Sequence, residues 1–257
     1  MRTALVRRTV LTASAVSLGL LVTACGSGDT DAKTDAKPSA AASAAASSAA
    51  PGAKGKTDAE VAALVVTQAD LADHVVSAES AAKVVAMPAE AENASCKPLV
   101  QIMASQKNAT ATGLGRTGVK DKAKELPASA SAEEKVEAAL KAIGGAQTLV
   151  TVSSYDGKGA EEAFAAVKTA ATACAAGFTV TSDGDKVKYT GITPGAAVTG
   201  GDEAVAYTAP MDMEDGEKST THFVVVRKGN TLAGFYTWGL KTEQPKAVVD
   251  AQVKKLG

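Results

Sequence analysis

Few residues in this chain have the chemistry that catalysis or metal binding requires. The 257 residues include three cysteines and two histidines, numbers that nearly rule out zinc fingers and iron–sulfur sites. One nucleophile pattern is present: Ser80-Ala81-Ala82-Lys83 fits S-x-x-K, in which the lysine assists the serine. Its companion S-D-N and K-T-G motifs are absent from the sequence, and a strand-like Val84-Val85 follows where a helix is needed. We therefore expect no enzyme activity from this motif.

Three further patterns have non-catalytic interpretations. Gly113–Gly118 fits G-x-G-x-x-G, but a polar segment precedes it instead of a buried strand, so we expect a flexible loop. The acidic residues in 212–217 do not have the spacing of the calcium ligands in an EF-hand loop, so they indicate a solvated turn. His74 and His222 lack a matching ligand pattern and are interpreted as structural or surface residues. The sequence predicts no metal and no cofactor.

The N-terminus has the order of regions found in an export signal. Arg2, Arg7 and Arg8 form a basic start, and 10–22 is an apolar stretch too short to span a bilayer comfortably. Leu21-Val22-Thr23-Ala24-Cys25 then resembles a bacterial lipobox. The resemblance implies removal of residues 1–24 and acylation of Cys25, with chains such as palmitate. An uncleaved anchor with an incidental cysteine is the alternative.

A change of composition divides the mature chain in two. Residues 25–56 hold the cysteine and an Ala/Ser-rich stretch without large apolar side chains, which predicts a disordered tether. Residues 57–257 show regular hydrophobic periodicity, which predicts a single domain. The formal net charge of -1 offers no basic stripe for nucleic acid, so no nucleic-acid partner is expected.

The periodicity within 57–257 predicts an α+β fold. Period-two alternation dominates the C-terminal third, where Gly229-Asn230 indicates a hairpin, so the sheet should be mainly antiparallel. Small-residue helices are expected on one face of the sheet. Helices are predicted over 58–66, 95–106, 132–143 and 159–176 and after Pro245; strands are predicted at 74–76, 83–87, 109–119, 148–153, 186–189, 205–213, 222–228 and 231–239.

Acylation of Cys25 leaves an even number of cysteines. Cys96 and Cys174 both lie on the predicted buried sides of helices. In an oxidising compartment such a pair favours a disulfide, whereas two separate buried thiols are the alternative.

Several short motifs together resemble one group of envelope domains. They are the stretch 64–71 (LVVTQADL), Cys96-Lys97-Pro98-Leu99, Cys174 at the end of its helix, and the 222–230 segment HFVVVRKGN. The group is the extracellular sensor domain of actinobacterial membrane Ser/Thr kinases, with related lipoproteins. The resemblance implies an antiparallel sheet flanked by helices and a ligand-binding cleft. The chain departs from the group because only one disulfide is possible and no kinase domain is present.

Aromatic residues supply the candidate binding surface. All nine lie at or after Tyr155, and Tyr236 and Trp238 share one face of a predicted strand. With helices on one face of the sheet, Tyr207, Tyr236 and Trp238 are candidates for lining a cleft, although a plain core role stays open. We expect a non-enzymatic lipoprotein, anchored by lipid at the outer face of the cytoplasmic membrane, that binds a small-molecule, lipid or protein ligand. A wall or lipid hydrolase and a passive structural protein are the alternatives.

Overall fold

A large antiparallel sheet organises the part of the chain that the computed structural model describes. The described residues are 52–77, 88–122, 126–127, 129–213, 218–239 and 242–257. Ten strands are present in them, and every pairing is antiparallel. The strands are β1 (His74–Ser77), β2 (Ala89–Ala91), β3 (Ala111–Asp121), β4 (Gln147–Tyr155), β5 (Phe178–Ser182), β6 (Asp185–Tyr189), β7 (Thr193–Pro194), β8 (Glu203–Asp212), β9 (Lys218–Lys228) and β10 (Thr231–Trp238).

The strand order places the most apolar strands at the centre. It runs β1-β3-β4-β10-β9-β8-β6-β5-β2, with β7 attached to β8. The β9–β10 hairpin turns at Gly229-Asn230, where Gly229 has a φ of 56°. The turn of the β5–β6 hairpin is likewise left-handed, at Asp183 and Gly184. The Gly229-Asn230 hairpin predicted from its residue types is present, and the α+β class with its antiparallel sheet is confirmed.

The described residues contain five α-helices, three of which have a clear start signal in the local sequence. They are α1 (Asp58–Ala62), α2 (Lys97–Met103), α3 (Ala132–Gly144), α4 (Gly159–Ala173) and α5 (Lys246–Leu256). Capping boxes start α1, from Thr57 and Glu60, and α3, from Ser131 and Glu134. A proline in the first turn starts α2, and a short 3-10 turn at Ala94–Cys96 precedes it.

Helices cover both faces of the sheet, not one as expected. α2 and α4 pack on the face that contains Phe223, Val225 and Leu232. α1 and α5 pack on the opposite face, against Val224 and Phe235. The reason lies in the segment 223–226, which is apolar at every position and is therefore buried on both sides, as in a strand between two helical layers.

The glycine motif at 113–118 lies in the middle of β3, so its interpretation as a loop was wrong and the strand predicted over 109–119 is confirmed. A Cβ on Gly113 would lie 2.6 Å from the carbonyl carbon of Thr57, and a Cβ on Gly115 would lie 2.8 Å from a methyl of Val65. The glycines thus let α1 and the residues before it lie directly on the strand. Close backbone approach, rather than a loop, explains their spacing.

The chain contacts the sheet before the predicted domain start at Thr57. Residues 53–56, termed the N-terminal strap, run beside the end of β4. The Gly55 amide donates to Asp156 Oδ1 at 2.8 Å, and the Lys56 amide donates to Ser154 Oγ at 2.9 Å. The amide of Gly157 donates to the Ala53 carbonyl at 2.7 Å. Residues 1–51, with Cys25, and 78–87, with Ser80, Lys83 and a predicted strand, lie outside the described residues.

Candidate functional site

A disulfide fixes the two helices that cover one face of the sheet. Cys96 lies immediately before α2, Cys174 lies immediately after α4, and the structure joins them with a Cα–Cα distance of 6.0 Å. Both residues are fully buried. The pairing predicted from the cysteine count is confirmed, and it holds the start of α2 to the end of α4.

A cleft opens between these helices above β4 and β10. We call it the α2–α4 cleft; its enclosed space is about 50 Å³, and the open mouth brings the total to about 490 Å³. Its apolar lining is Pro98, Ile102, Ala163, Ala166, Val167 and Leu232, with Gly234 at the floor. Its polar lining is Gln101, Gln106, Asn108, Thr151, Ser153 and Tyr155. The enclosed space accommodates a small chemical group rather than a whole drug-sized ligand, and the lining mixes apolar and polar side chains as ligand sites do.

The floor of the cleft is set by a glycine in β10. A Cβ on Gly234 would lie 3.2 Å from the Cγ2 of Ile102, so a larger residue here would require Ile102 to shift by a few tenths of an ångström. Ser105, in a left-handed conformation with a φ of 48°, ends α2 and hydrogen bonds through its hydroxyl to Thr151. Together these contacts set the height of α2 above the sheet.

Three amide side chains at the cleft have unused hydrogen-bonding capacity. Gln101 makes no side-chain hydrogen bond to any described residue. Gln106 donates through Nε2 to the Ala89 carbonyl at 2.8 Å, which leaves its Oε1 without a described partner. Asn108 accepts at Oδ1 from the amide of Thr110 at 3.2 Å, which leaves its Nδ2 likewise available. The cleft therefore offers donors and acceptors without charge.

The three aromatic residues predicted as a binding surface form one continuous group. Phe223 of β9 lies between two of them in the sheet, opposite Tyr207 of β8 on one side and Tyr236 of β10 on the other. Trp238 stacks on Tyr236 with ring centroids 5.3 Å apart. We call this group the aromatic row. Tyr207, Tyr236 and Trp238 are half-buried, and none of them lines the α2–α4 cleft. Tyr155 is the aromatic residue of that cleft, and the role of the aromatic row stays a prediction.

Burial changes the acidity of the tyrosines on this face. Desolvation raises the pKa of Tyr236 to about 12, and a hydrogen bond to Tyr189 partly offsets the effect. Desolvation also raises the pKa of Tyr155 and, strongly, that of Tyr189. These phenols are therefore neutral hydrogen-bonding groups at physiological pH.

Neither histidine contributes to the α2–α4 cleft. His222 is buried on the opposite face, with Nε2 3.1 Å from the Thr242 carbonyl and Nδ1 3.5 Å from the Thr208 hydroxyl. His74 Nε2 lies 3.7 Å from the exposed carboxylate of Asp121 at the edge of the sheet. The hydrolase alternative gains no support from these contacts. Among the described residues no cluster of potential metal ligands was found.

The 222–230 motif forms a buried ion-pair network. Arg227 is 2% exposed; its Nη1 lies 3.2 Å from Asp202 Oδ2, and its Nε lies 2.7 Å from Glu203 Oε2. The amide of Gly229 donates to the same Asp202 carboxylate at 2.6 Å. Asn230 donates through Nδ2 to the carbonyls of Lys54, in the strap, and Tyr155. The polar residues of the motif thus have structural partners in this chain.

Sequence reasoning missed most of the cleft residues, although a signal for some was present. Thr151 and Ser153 place hydroxyls on a face of β4 that is otherwise buried, and Gly234 interrupts an apolar strand. Polar or glycine positions inside a buried strand often mark a close backbone approach or a ligand. Gln101 and Gln106 carry no such signal, because only the packing of α2 shows which of its sides faces the cleft.

Comparisons with known proteins add a weak structural similarity. No protein-family model and no curated protein matches the sequence. Among solved structures, the extracellular domain of PknH from Mycobacterium tuberculosis is similar to this chain, with a TM-score of 0.47 and 13% sequence identity. The similarity covers 79% of this chain and 97% of that domain. No helix among the described residues is long and apolar enough to cross a membrane.

Proposed function

We propose that this chain is an extracytoplasmic lipoprotein whose α+β domain binds a ligand in the α2–α4 cleft without chemical turnover. The observation that carries the binding role is the cleft itself. Its polar side chains have unsatisfied donors and acceptors, and the disulfide and Gly234 hold its walls in place. A preformed cavity of this kind loses little conformational entropy on binding.

The anchoring half of the proposal rests on the sequence of residues 1–25. The basic start, the short apolar region and Leu21–Cys25 support export, cleavage before Cys25 and acylation of its thiol. Acyl chains contribute about 0.8 kcal/mol of membrane affinity per buried CH₂. Mass spectrometry of the membrane fraction should therefore show a chain that begins at an acylated Cys25. A soluble product of unprocessed size, unchanged by Cys25→Ala, would refute the anchor.

Two alanines on α4 give a matched test of the cleft. Ala166 lines the cleft, whereas its neighbour Ala165 is exposed to solvent. The full chain, purified from its host in detergent, should carry a bound small molecule in native mass spectrometry. We expect Ala166→Leu to lose that molecule because the added side chain fills the cleft, and Ala165→Leu to retain it. Equal retention by both variants would exclude the cleft as the binding site.

The aromatic row is a second candidate surface for a ligand or a protein partner. Its support is that Tyr207, Tyr236 and Trp238 lie next to one another and are half-buried, although Tyr207 and Tyr236 also pack against the core. Trp238→Ala should reduce retention of a ligand or partner bound there. Unchanged retention in Trp238→Ala, with loss in Ala166→Leu, would assign binding to the cleft alone.

A further inference from the structure

The charge of the cleft restricts the chemistry of its ligand. All of its lining residues are uncharged. An ionic group that entered the cleft would lose its hydration without gaining a counter-ion, which is strongly unfavourable. The ligand must therefore be neutral in the part that lies inside.

The free amide groups require both donors and acceptors on the ligand. Gln101 can donate and accept, Gln106 has a free Oε1 acceptor, and Asn108 has a free Nδ2 donor. A ligand that left these groups unpaired would impose a desolvation penalty on each. A purely apolar molecule, such as an acyl chain, therefore fits the polar half poorly.

The opposite wall favours small apolar groups beside those polar ones. Ala163 and Ala166 present single methyl groups, and Val167 and Ile102 complete the wall. Short side chains leave room for a methyl group of the ligand at van der Waals distance, whereas a saccharide hydroxyl would be unpaired there. The polar and apolar sides of the cleft together fit a ligand group that combines a hydrogen-bond donor, an acceptor and a methyl.

We propose that the ligand presents an uncharged secondary amide next to a methyl group. This inference rests on the proposed function and specifies the ligand of the same cleft. An N–H and a C=O would pair with the amides of Gln101, Gln106 and Asn108, and the methyl would contact Ala163 and Ala166. Two sources share this chemistry: an N-acetylated sugar and an alanyl peptide.

The test compares four defined probes on the full chain in detergent. N,N′-diacetylchitobiose and N-acetyl-alanyl-alanine amide carry the amide and the methyl. Chitobiose is the cationic analogue without acetyl groups, and cellobiose is the neutral sugar without an amide. Ligand-observed NMR titrations should show binding of at least one amide probe, at least tenfold tighter than either comparator; the tighter amide probe identifies the source.

Variants locate the binding. Gln101→Leu should lower the affinity for the amide probe about tenfold, which is the typical consequence of removing one hydrogen-bonding group. The melting temperature should not change, because Gln101 has no described side-chain partner. Ala166→Leu should abolish binding, and Ala165→Leu should not alter it.

The outcomes separate this inference from the proposed function. Binding of chitobiose or cellobiose as tight as that of the amide probes would overturn the ligand class and keep the cleft. If no probe binds but native mass spectrometry still finds a molecule that the Ala166→Leu variant loses, the ligand class is likewise overturned and the cleft is kept. If no probe binds and no molecule is retained, both proposals fail.

Discussion

The hydroxyl groups of Tyr189 and Tyr236 lie 2.9 Å apart and share a hydrogen bond. Their strands, β6 and β10, are not neighbours, because β8 and β9 lie between them in the sheet. The contact therefore shows that the sheet curves around the face that α2 and α4 cover. Phe178 stacks on Tyr189 with ring centroids 4.6 Å apart and extends the contact to β5.

Removal of one of these hydroxyls should destabilise the fold. Tyr236→Phe leaves the hydroxyl of Tyr189 buried without this partner, a loss we expect to cost about 1–3 kcal/mol in the free energy of unfolding. Urea denaturation at pH 7 measures it. Phe178→Leu serves as a comparison that reduces the stacking but keeps the hydrogen bond. If the Tyr236→Phe variant is as stable as the wild type, the hydrogen bond between Tyr189 and Tyr236 does not stabilise the fold.

Alkaline pH should destabilise the protein through the same tyrosines. The unfolded pKa is near the ordinary value of 10, and burial raises the folded pKa of Tyr236 to about 12. The unfolded state therefore loses its proton first, so the contribution of Tyr236 to stability is constant below pH 10 and falls as the pH rises toward 12. For one tyrosine the slope is at most about 1.4 kcal/mol per pH unit. Urea titrations across that range should show a smaller slope in Tyr236→Phe.

Loss of the disulfide should reduce stability substantially. The bond joins residues 78 positions apart, which corresponds to about 4.5 kcal/mol in the chain-entropy description. We expect the double variant Cys96→Ala, Cys174→Ala to unfold at clearly lower urea concentration. Alkylation of the denatured, unreduced wild type should label neither cysteine. Full labelling of both would contradict the bond.

The N-terminal strap should depend on a glycine. A Cβ on Gly55 would overlap the hydroxyl of Thr112 and lie 2.7 Å from the carbonyl carbon of Tyr155. Gly55→Ala should therefore detach the strap and make the chain before Thr57 sensitive to limited proteolysis. Gly191→Ala is the matched control, since its Cβ would meet only the Ala175 carbonyl at 3.5 Å. Equal proteolysis of the two variants would refute the strap.

The buried charge of Arg227 should contribute far more to the free energy of unfolding than the exposed charge of Lys228 beside it. Arg227→Met leaves the carboxylate of Asp202, itself 7% exposed, without its main partner, which we expect to cost about 3–5 kcal/mol. Lys228→Met is the matched control. The Lys228 side chain is 43% exposed and its Nζ lies 4.0 Å from Asp202, so a change below about 1 kcal/mol is expected. Similar losses in both variants would contradict the network.

The sequence predicted those features that local patterns determine. The C-terminal helix after Pro245 and the β9–β10 hairpin with its turn at Gly229-Asn230 follow from residue type and periodicity. Cysteine number predicted the disulfide. The burial of both sheet faces was also visible in the uninterrupted run 223–226, but the alternation in the neighbouring strands was given more weight.

Features that depend on distant packing were not predicted. The glycines of β3 were interpreted as a loop although periodicity predicted a strand over 109–119, because nothing local shows that α1 lies against Gly113 and Gly115. The cleft depends on the height of α2 above Gly234, which the fold sets through a disulfide and a single left-handed residue, Ser105. The aromatic row was anticipated as a face of β10, yet its separation from the cleft could be seen only in three dimensions.

The pairing of β4 with β10 determines when folding can be completed as the chain emerges on the outer side of the membrane. These strands meet in the middle of the sheet although about 80 residues separate them in the chain, and contacts of such long sequence separation form slowly. Neither helical layer can be closed over the sheet until the last strand has emerged. Both cysteines precede β10, so their thiols are already available to each other while the centre of the sheet is still missing a strand. Oxidation can therefore bring α2 and α4 together first, and the C-terminal hairpin then has a preformed surface on which to assemble.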